Sequence, residues 1–152
     1  MSKGKEIADV AFKEVGQKES PANSNKTMYG KWFGLDGVAW CGMFVSWCYS
    51  HAGYQLPKIG FTKGFAGCQT AVAYFTKMKL IVKDPAVGDI VFFDFNNDGR
   101  YDHTGIFNGW EDKVAGTFNS IEGNTSFKNQ SNGGEVMSKK RKNINVLFAR
   151  PI

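Results

Sequence analysis

The spacing of apolar residues changes character halfway along the chain. In the first half apolar residues recur at helical intervals, which predicts helices over about residues 3–16, 41–52 and 64–79. In the second half shorter apolar runs are typical of strands, at residues 87–93, 103–110, 114–122, 135–138 and 146–149. Helices followed by strands predict an α+β fold, with N-terminal helices packed on an antiparallel sheet of about five to six strands.

Chain length and the lengths of the apolar runs narrow the class of protein. With 152 residues, the chain is expected to form a single domain over residues 1–152. No apolar run approaches the roughly 20 residues that span a bilayer, so membrane insertion is not expected. Residues 1–15 have the pattern of an amphipathic helix and not of a secretion signal, so synthesis in the cytoplasm is expected.

The basic residues raise the question of an anionic partner. The net charge is +5, which suits an anionic polymer such as a bacterial wall. Residues 139–142 are all basic, but no aromatic residues are interleaved with them, as they would be in a nucleic-acid site. We therefore interpret them as a solvated edge strand protected by lysines and expect no nucleic-acid partner.

Cys41 lies where an extended, glycine-containing segment gives way to the second predicted helix. The N-terminus of a helix carries partial positive charge, which stabilises a thiolate and lowers the pKa of a cysteine placed there. Cys41 is therefore a candidate nucleophile.

The other two cysteines are predicted to be core residues. On a helix, Cys48 would lie roughly 10 Å from Cys41, beyond the separation of about 7 Å that a disulfide tolerates between Cα atoms. Cys68, within residues 67–72, is interpreted in the same way, and no cysteine pair has the spacing of zinc ligands.

Only two histidines are available as a base for Cys41. His51 would lie about 15 Å further along the same helix, so we interpret it as a helix-terminal histidine. His103 opens a predicted strand and can approach Cys41 from another element. Alternation places it on one face with Gly105, which we interpret as leaving room for a substrate.

A polar group should orient the imidazole. Asp102 is adjacent to His103, but neighbours in a strand point to opposite faces. Glu122 and Asn124 are two residues apart and share a face at the end of another predicted strand. We expect Cys41, His103 and Glu122 to form a thiol–imidazole–carboxylate relay, with Asn124 holding the histidine or polarising a substrate carbonyl.

Four segments together resemble the CHAP family, the cysteine- and histidine-dependent amidohydrolases and peptidases of bacteriophage lysins and bacterial wall-remodelling enzymes. They are residues 40–47, 88–93, 102–106 and 121–125, in the family's order and spacing. The resemblance implies a papain-like (NlpC-type) fold, with Cys41 as nucleophile, His103 as base, and Glu122 and Asn124 in support. Gly42 departs from the pattern, because many relatives have alanine or a larger residue there.

The resemblance also implies a function. The expected protein is a monomeric peptidoglycan hydrolase without a required cofactor, acting on the wall after release from the host cytoplasm or as part of a virion. Its thioester acyl-enzyme would form at the muramoyl–L-alanine amide or at a peptide bond of the stem or cross-bridge. A wall-binding domain missing from the C-terminal side is a further expectation. Two alternatives stay open, a catalytically silent wall-binding module and a papain-like protease acting on proteins.

Residues 94–102 offer a second constellation. Asp94, Asn96 and Asp98 match the first half of a calcium loop, and Asp102 adds a carboxylate. The twelfth position is Gly105 instead of a glutamate, which argues against an EF-hand. Two interpretations stay open, a calcium site on these four residues and a tight hairpin turned by residues 97–99.

Aromatic residues between the first two predicted helices have two interpretations. Tyr29, Trp32 and Trp40 could line a groove for a glycan or stem peptide, or the rings could pack over the core. Tyr29 and Trp32 are predicted to be the more exposed.

Overall fold

The computed structural model describes residues 2–129 and 132–152, which contain four helices and six strands. The helices are α1 (Lys3–Lys13), α2 (Met28–Phe33), α3 (Cys41–His51) and α4 (Cys68–Lys77). The strands are β1 (Ile81–Val82), β2 (Ile90–Phe93), β3 (His103–Asp112), β4 (Thr117–Thr125), β5 (Glu135–Lys142) and β6 (Val146–Ala149).

All six strands join one antiparallel sheet in the order β1-β6-β2-β3-β4-β5. One face carries Ile90, Ile106 and Ile121 into the main core beneath the helices. Phe107 and Phe118 pack in a smaller cluster with alternate residues of β2 and β6. The predicted α+β architecture and strand number are therefore confirmed.

Helix α3 is the central helix. Its sequence is apolar on nearly all sides, so the helix is buried around most of its circumference. It packs against β3 and β4, and the Tyr49 hydroxyl donates to the carbonyl oxygen of Gly88, just before β2. Burial on several sides fixes the first residue of α3 beside the strands.

Several element boundaries differ from the prediction. Helix α4 begins at Cys68 instead of residue 64, because a tight turn joins the Ile59 amide to the Gly64 carbonyl. Strand β4 begins at Thr117, since the preceding residues form a turn that leaves Val114 almost fully exposed. The short elements α2 and β1 were not predicted, because six and two residues are too few to show a periodicity. Across residues 2–129 and 132–152, every helix is too short or too polar to cross a bilayer.

Candidate active site

Cys41 is the first residue of α3, as predicted. The preceding residue, Trp40, makes no side-chain hydrogen bond to the helix end. The first N–H groups of a helix have no partner within the helix, so they point their partial positive charge towards the start of α3. The Cys41 side chain is at this end, and the residue is 5% exposed.

Cys68 is the first residue of α4, and its Sγ lies 3.9 Å from the Sγ of Cys41. The prediction of a plain core residue is therefore incomplete, because Cys68 is buried but borders the candidate nucleophile. The Cys68 thiol hydrogen-bonds Cys41 and, together with His103, lowers the pKa of Cys41 well below its usual value although burial opposes this. The same contact and burial raise the pKa of Cys68, so Cys68 keeps its proton.

His103 is fully buried at the start of β3, and its Nε2 lies 2.9 Å from Oε1 of Glu122. This bond leaves Nδ1 as the nitrogen that can exchange a proton with Cys41, and Nδ1 has no other partner among the described residues. His51 stacks on Trp47 at the opposite end of α3, as expected for a histidine that does not serve Cys41.

The charges of Cys41, His103 and Glu122 stabilise one another. Burial disfavours the imidazolium, but Cys41 and Glu122 outweigh it and raise the pKa of His103 to about 9. Burial likewise disfavours the Glu122 carboxylate, but Arg141 and His103 outweigh it and lower the pKa of Glu122. These pKa shifts together favour a thiolate, an imidazolium and a carboxylate in contact with one another.

Arg141 contacts the candidate site, which the sequence did not predict. Its Nε donates to Oε2 of Glu122 at 2.9 Å, and its Nη2 donates to Oε1. Strand β5 is an edge strand, as predicted, but the basic run on it is not uniformly solvated. Lys139 and Arg141 are largely buried, whereas Lys140 and Lys142 are exposed. Because side chains of a strand alternate between its two faces, two of the four basic residues could have been expected to point inward.

Gly105 has a role other than the predicted one. A Cβ at this position would lie 2.6 Å from Cγ of Glu122 and 2.6 Å from Oγ of Ser120. The interpretation that Gly105 leaves room for a substrate is therefore wrong, because the space is filled by the glutamate side chain that reaches His103. The absence of a Cβ at Gly105 lets Glu122 lie across β3.

Asp102 and Asn124 are the two other polar candidates. Asp102 is exposed and lies just before β3. The hydrogen bond to the His103 imidazole is made by Glu122 and not by Asp102. Asn124 is fully buried, but the β4–β5 pairing is irregular between Glu122 and Thr125, and Asn124 has a φ of 60°. Simple alternation therefore does not place Asn124 beside Glu122, and its catalytic role stays a prediction.

The three predicted substrate-contacting aromatic residues are buried or half-buried. Tyr29 is 1% exposed and Trp40 is 0% exposed, and their rings stack at a centroid distance of 5.5 Å. The prediction of an exposed Tyr29 is therefore wrong, because both rings belong to the core. Trp32 is half-buried against His51, at the end of α3 opposite Cys41. Trp40 directly precedes the nucleophile in the chain, but its ring is buried and offers no exposed surface to a substrate.

The acidic loop of residues 94–102 connects β2 and β3 as a hairpin, but its nine residues make it longer than the tight turn at residues 97–99 that was one of the two interpretations. Carboxylate oxygens of Asp94, Asp98 and Asp102 lie within 4.8 Å of one another, a spacing that would suit a cation. The Asp94 carboxylate also accepts hydrogen bonds from the amides of Asp98, at 3.1 Å, and Gly99, at 2.9 Å. It therefore stabilises the turn without a cation. Calcium binding by Asp94, Asn96, Asp98 and Asp102 stays a prediction.

The pKa directions predict a bell-shaped pH dependence of kcat/KM. The acid limb follows ionisation of Cys41, whose pKa is lowered, and the alkaline limb follows loss of the His103 proton near pH 9. We expect Glu122→Gln to move the alkaline limb to lower pH, because it removes the carboxylate that stabilises the imidazolium. Hydrolysis rates measured across pH for this variant and the exposed-site control Glu111→Gln test this. An unmoved alkaline limb would contradict the pairing.

Comparison with known protein families identifies the CHAP domain. The family model of the CHAP domain matches residues 33–124, more than half of the chain. The matched stretch contains Cys41, His103, Glu122 and Asn124, and it ends before Arg141. Among curated proteins, none shows a significant match to this chain.

Proposed function

The chain belongs to the CHAP domain family, and we propose that it hydrolyses an amide bond of bacterial peptidoglycan. CHAP domains are generally amidases or peptidases, and many occur in peptidoglycan hydrolases. The observation that carries the proposal is the buried line of groups from Cys41 through His103 to Glu122. Such a line is the arrangement that an activated cysteine nucleophile requires.

The proposed reaction begins with the Cys41 thiolate. Its sulfur attacks the carbonyl carbon of the scissile amide and forms a tetrahedral oxyanion, which accepts hydrogen bonds from N–H groups at the start of α3. The His103 imidazolium donates its proton to the leaving amine as the C–N bond breaks, which leaves a thioester. Water then attacks the thioester, His103 takes its proton, and the carboxylic acid is released as the thiolate re-forms.

A catalytically silent wall-binding module is the first alternative. A binding module has no use for a thiolate and an imidazolium held in the protein interior. Burying charged groups costs several kcal/mol per ion before pairing compensates for it, so such a group is expensive to keep without a chemical use. The buried, mutually paired charges of Cys41, His103 and Glu122 therefore favour an enzyme.

A protease that acts on ordinary proteins is the second alternative, and it would use the same chemistry. The net charge of +5 favours an anionic polymer such as the bacterial wall, since attraction raises the local concentration of an oppositely charged substrate. The family supports the same choice, because its members are often found in peptidoglycan hydrolases.

The test uses purified peptidoglycan of known stem and cross-bridge composition, with casein as a parallel substrate. We expect soluble fragments from the wall and intact casein. Mass spectrometry of the fragments identifies the bond, because an amidase exposes the amine of L-alanine whereas an endopeptidase exposes an amine within the stem or cross-bridge. Degraded casein together with an intact wall would overturn the proposal in favour of a general protease.

A further inference from the structure

We propose that Arg141 is a positioning residue that holds the Glu122 carboxylate oriented towards His103. This inference rests on the proposed function, since it assigns Arg141 to the same hydrolytic site. Arg141 lies on β5, outside the residues that match the CHAP domain model.

The contact between Arg141 and Glu122 uses both carboxylate oxygens. Nε of Arg141 donates to Oε2 at 2.9 Å, and Nη2 donates to Oε1. Oε1 is also the atom that lies 2.9 Å from Nε2 of His103. The fork of the guanidinium therefore fixes the plane of the carboxylate and aims Oε1 at the imidazole.

A cation is needed here because Glu122 is fully buried. A buried carboxylate without a cationic partner takes up a proton, since the low dielectric of the interior disfavours the charged form. A neutral Glu122 would stabilise the His103 imidazolium less well, and the Cys41 thiolate would lose its counter-ion in turn. Arg141 thus acts on Cys41 through two intervening side chains.

Two aromatic rings hold the guanidinium in place. Its central carbon lies 4.9 Å from the centroid of Phe93 and 5.0 Å from that of Phe95. The same rings stack on His103 at centroid distances of 5.8 Å and 5.9 Å. Phe93 and Phe95 therefore contact both cations that flank Glu122. A planar guanidinium suits this stacking and a two-point bond, whereas a lysine ammonium offers a single point charge.

The other titratable groups of the site come from four elements. Lys139 of β5 is close enough to influence both Glu122 and Arg141, but its Nζ donates to the carbonyl oxygen of Ser126 at 3.1 Å. Cys41 and Cys68 approach from the starts of α3 and α4, and His103 approaches from β3. Of these groups, His103 forms the direct contact with Glu122, in addition to that of Arg141.

The experiment measures the thiolate of Cys41 without any wall substrate. The full chain is treated with iodoacetamide across pH, and peptide mass spectrometry gives the alkylation rate at Cys41. We expect Arg141→Met to lower this rate by about tenfold at pH values on the acid limb, below the pKa of Cys41, which is the effect of one pKa unit on a protonation equilibrium. The acid limb of the alkylation profile should move to higher pH. Lys142→Gln removes one positive charge from an exposed site of the same strand and should leave both unchanged.

Peptidoglycan hydrolysis assays show whether Arg141 affects kcat or KM. For Arg141→Met we expect kcat to fall with KM nearly unchanged, and little further loss when the substitution is added to Glu122→Gln. Arg141→Lys should recover part of the alkylation rate, and it takes the place of Arg141→Met if that variant does not fold. A wild-type alkylation profile in whichever variant folds would overturn the positioning role. If the variant shows the expected change in alkylation but the wild-type protein does not hydrolyse peptidoglycan, the proposed substrate is contradicted and the positioning role of Arg141 stands.

Discussion

Replacing Cys41 with alanine is expected to reduce the release of wall fragments to the rate seen without enzyme. Removing the nucleophile of a catalytic unit costs on the order of 10⁶-fold in kcat in the best-studied cases, which exceeds the range of a lysis assay. The fold should survive, since Cys41 lies at the edge of the core, is 5% exposed and loses a single sulfur atom. Turbidity of a wall suspension and the melting temperature of the variant are the two measurements.

The two remaining cysteines provide matched controls for Cys41→Ala. Cys48→Ala removes a fully buried thiol that lies in the core, so it should lower the melting temperature and leave kcat close to wild type. Cys68→Ala removes the thiol that hydrogen-bonds the nucleophile, so it should move the acid limb to higher pH without abolishing turnover. Clearing of the wall by Cys41→Ala at the wild-type rate would overturn the assignment of the nucleophile.

Much of the site could be predicted because it depends on local periodicity. The pattern of α3 placed Cys41 at a helix start, and the rise of a helix excluded His51 as its partner. Strand alternation favoured Glu122 over Asp102, and the structure brings Glu122 to His103. Each of these inferences needs only the geometry of one element and the order of elements along the chain.

The rest of the site depends on how distant elements meet. Arg141 reaches Glu122 through the register of β4 with β5, which is irregular near Thr125, and no pattern within β5 specifies that register. Cys68 meets Cys41 because the starts of α3 and α4 converge after an irregular connection. A run of four basic residues also resembles a solvated surface, which concealed the inward direction of Arg141.

Gly42 shows how a departure from the family pattern can have a local cause. A Cβ at this position would lie 2.6 Å from the carbonyl oxygen of Ala66, in the connection that leads to Cys68. That backbone passes directly over the first turn of α3. The connection therefore leaves no room for an alanine at this position, and the sequence alone could not show this.

Gly105→Ala is expected to lower both stability and activity, because it places a methyl group where Glu122 crosses β3. The new Cβ would lie 2.6 Å from Cγ of Glu122 and 2.9 Å from the carbonyl oxygen of Ile121. Since one of these atoms belongs to the backbone, the strands must shift, at a cost of about 1–3 kcal/mol. The displaced carboxylate should no longer orient His103 for proton transfer, so kcat should fall by about tenfold or more.

Three measurements separate this explanation from a clash with substrate. A methyl group that only obstructs substrate would raise KM, while the melting temperature and the alkylation rate of Cys41 would stay at wild-type values. A methyl group that displaces Glu122 lowers the melting temperature, slows alkylation and reduces kcat together. Gly134→Ala is the matched control, because its Cβ would meet its nearest atom, Oε1 of Glu19, at an ordinary 3.6 Å. If Gly105→Ala changed KM alone, Gly105 would return to the role of a substrate-facing residue, and its steric link to Glu122 would have to be abandoned.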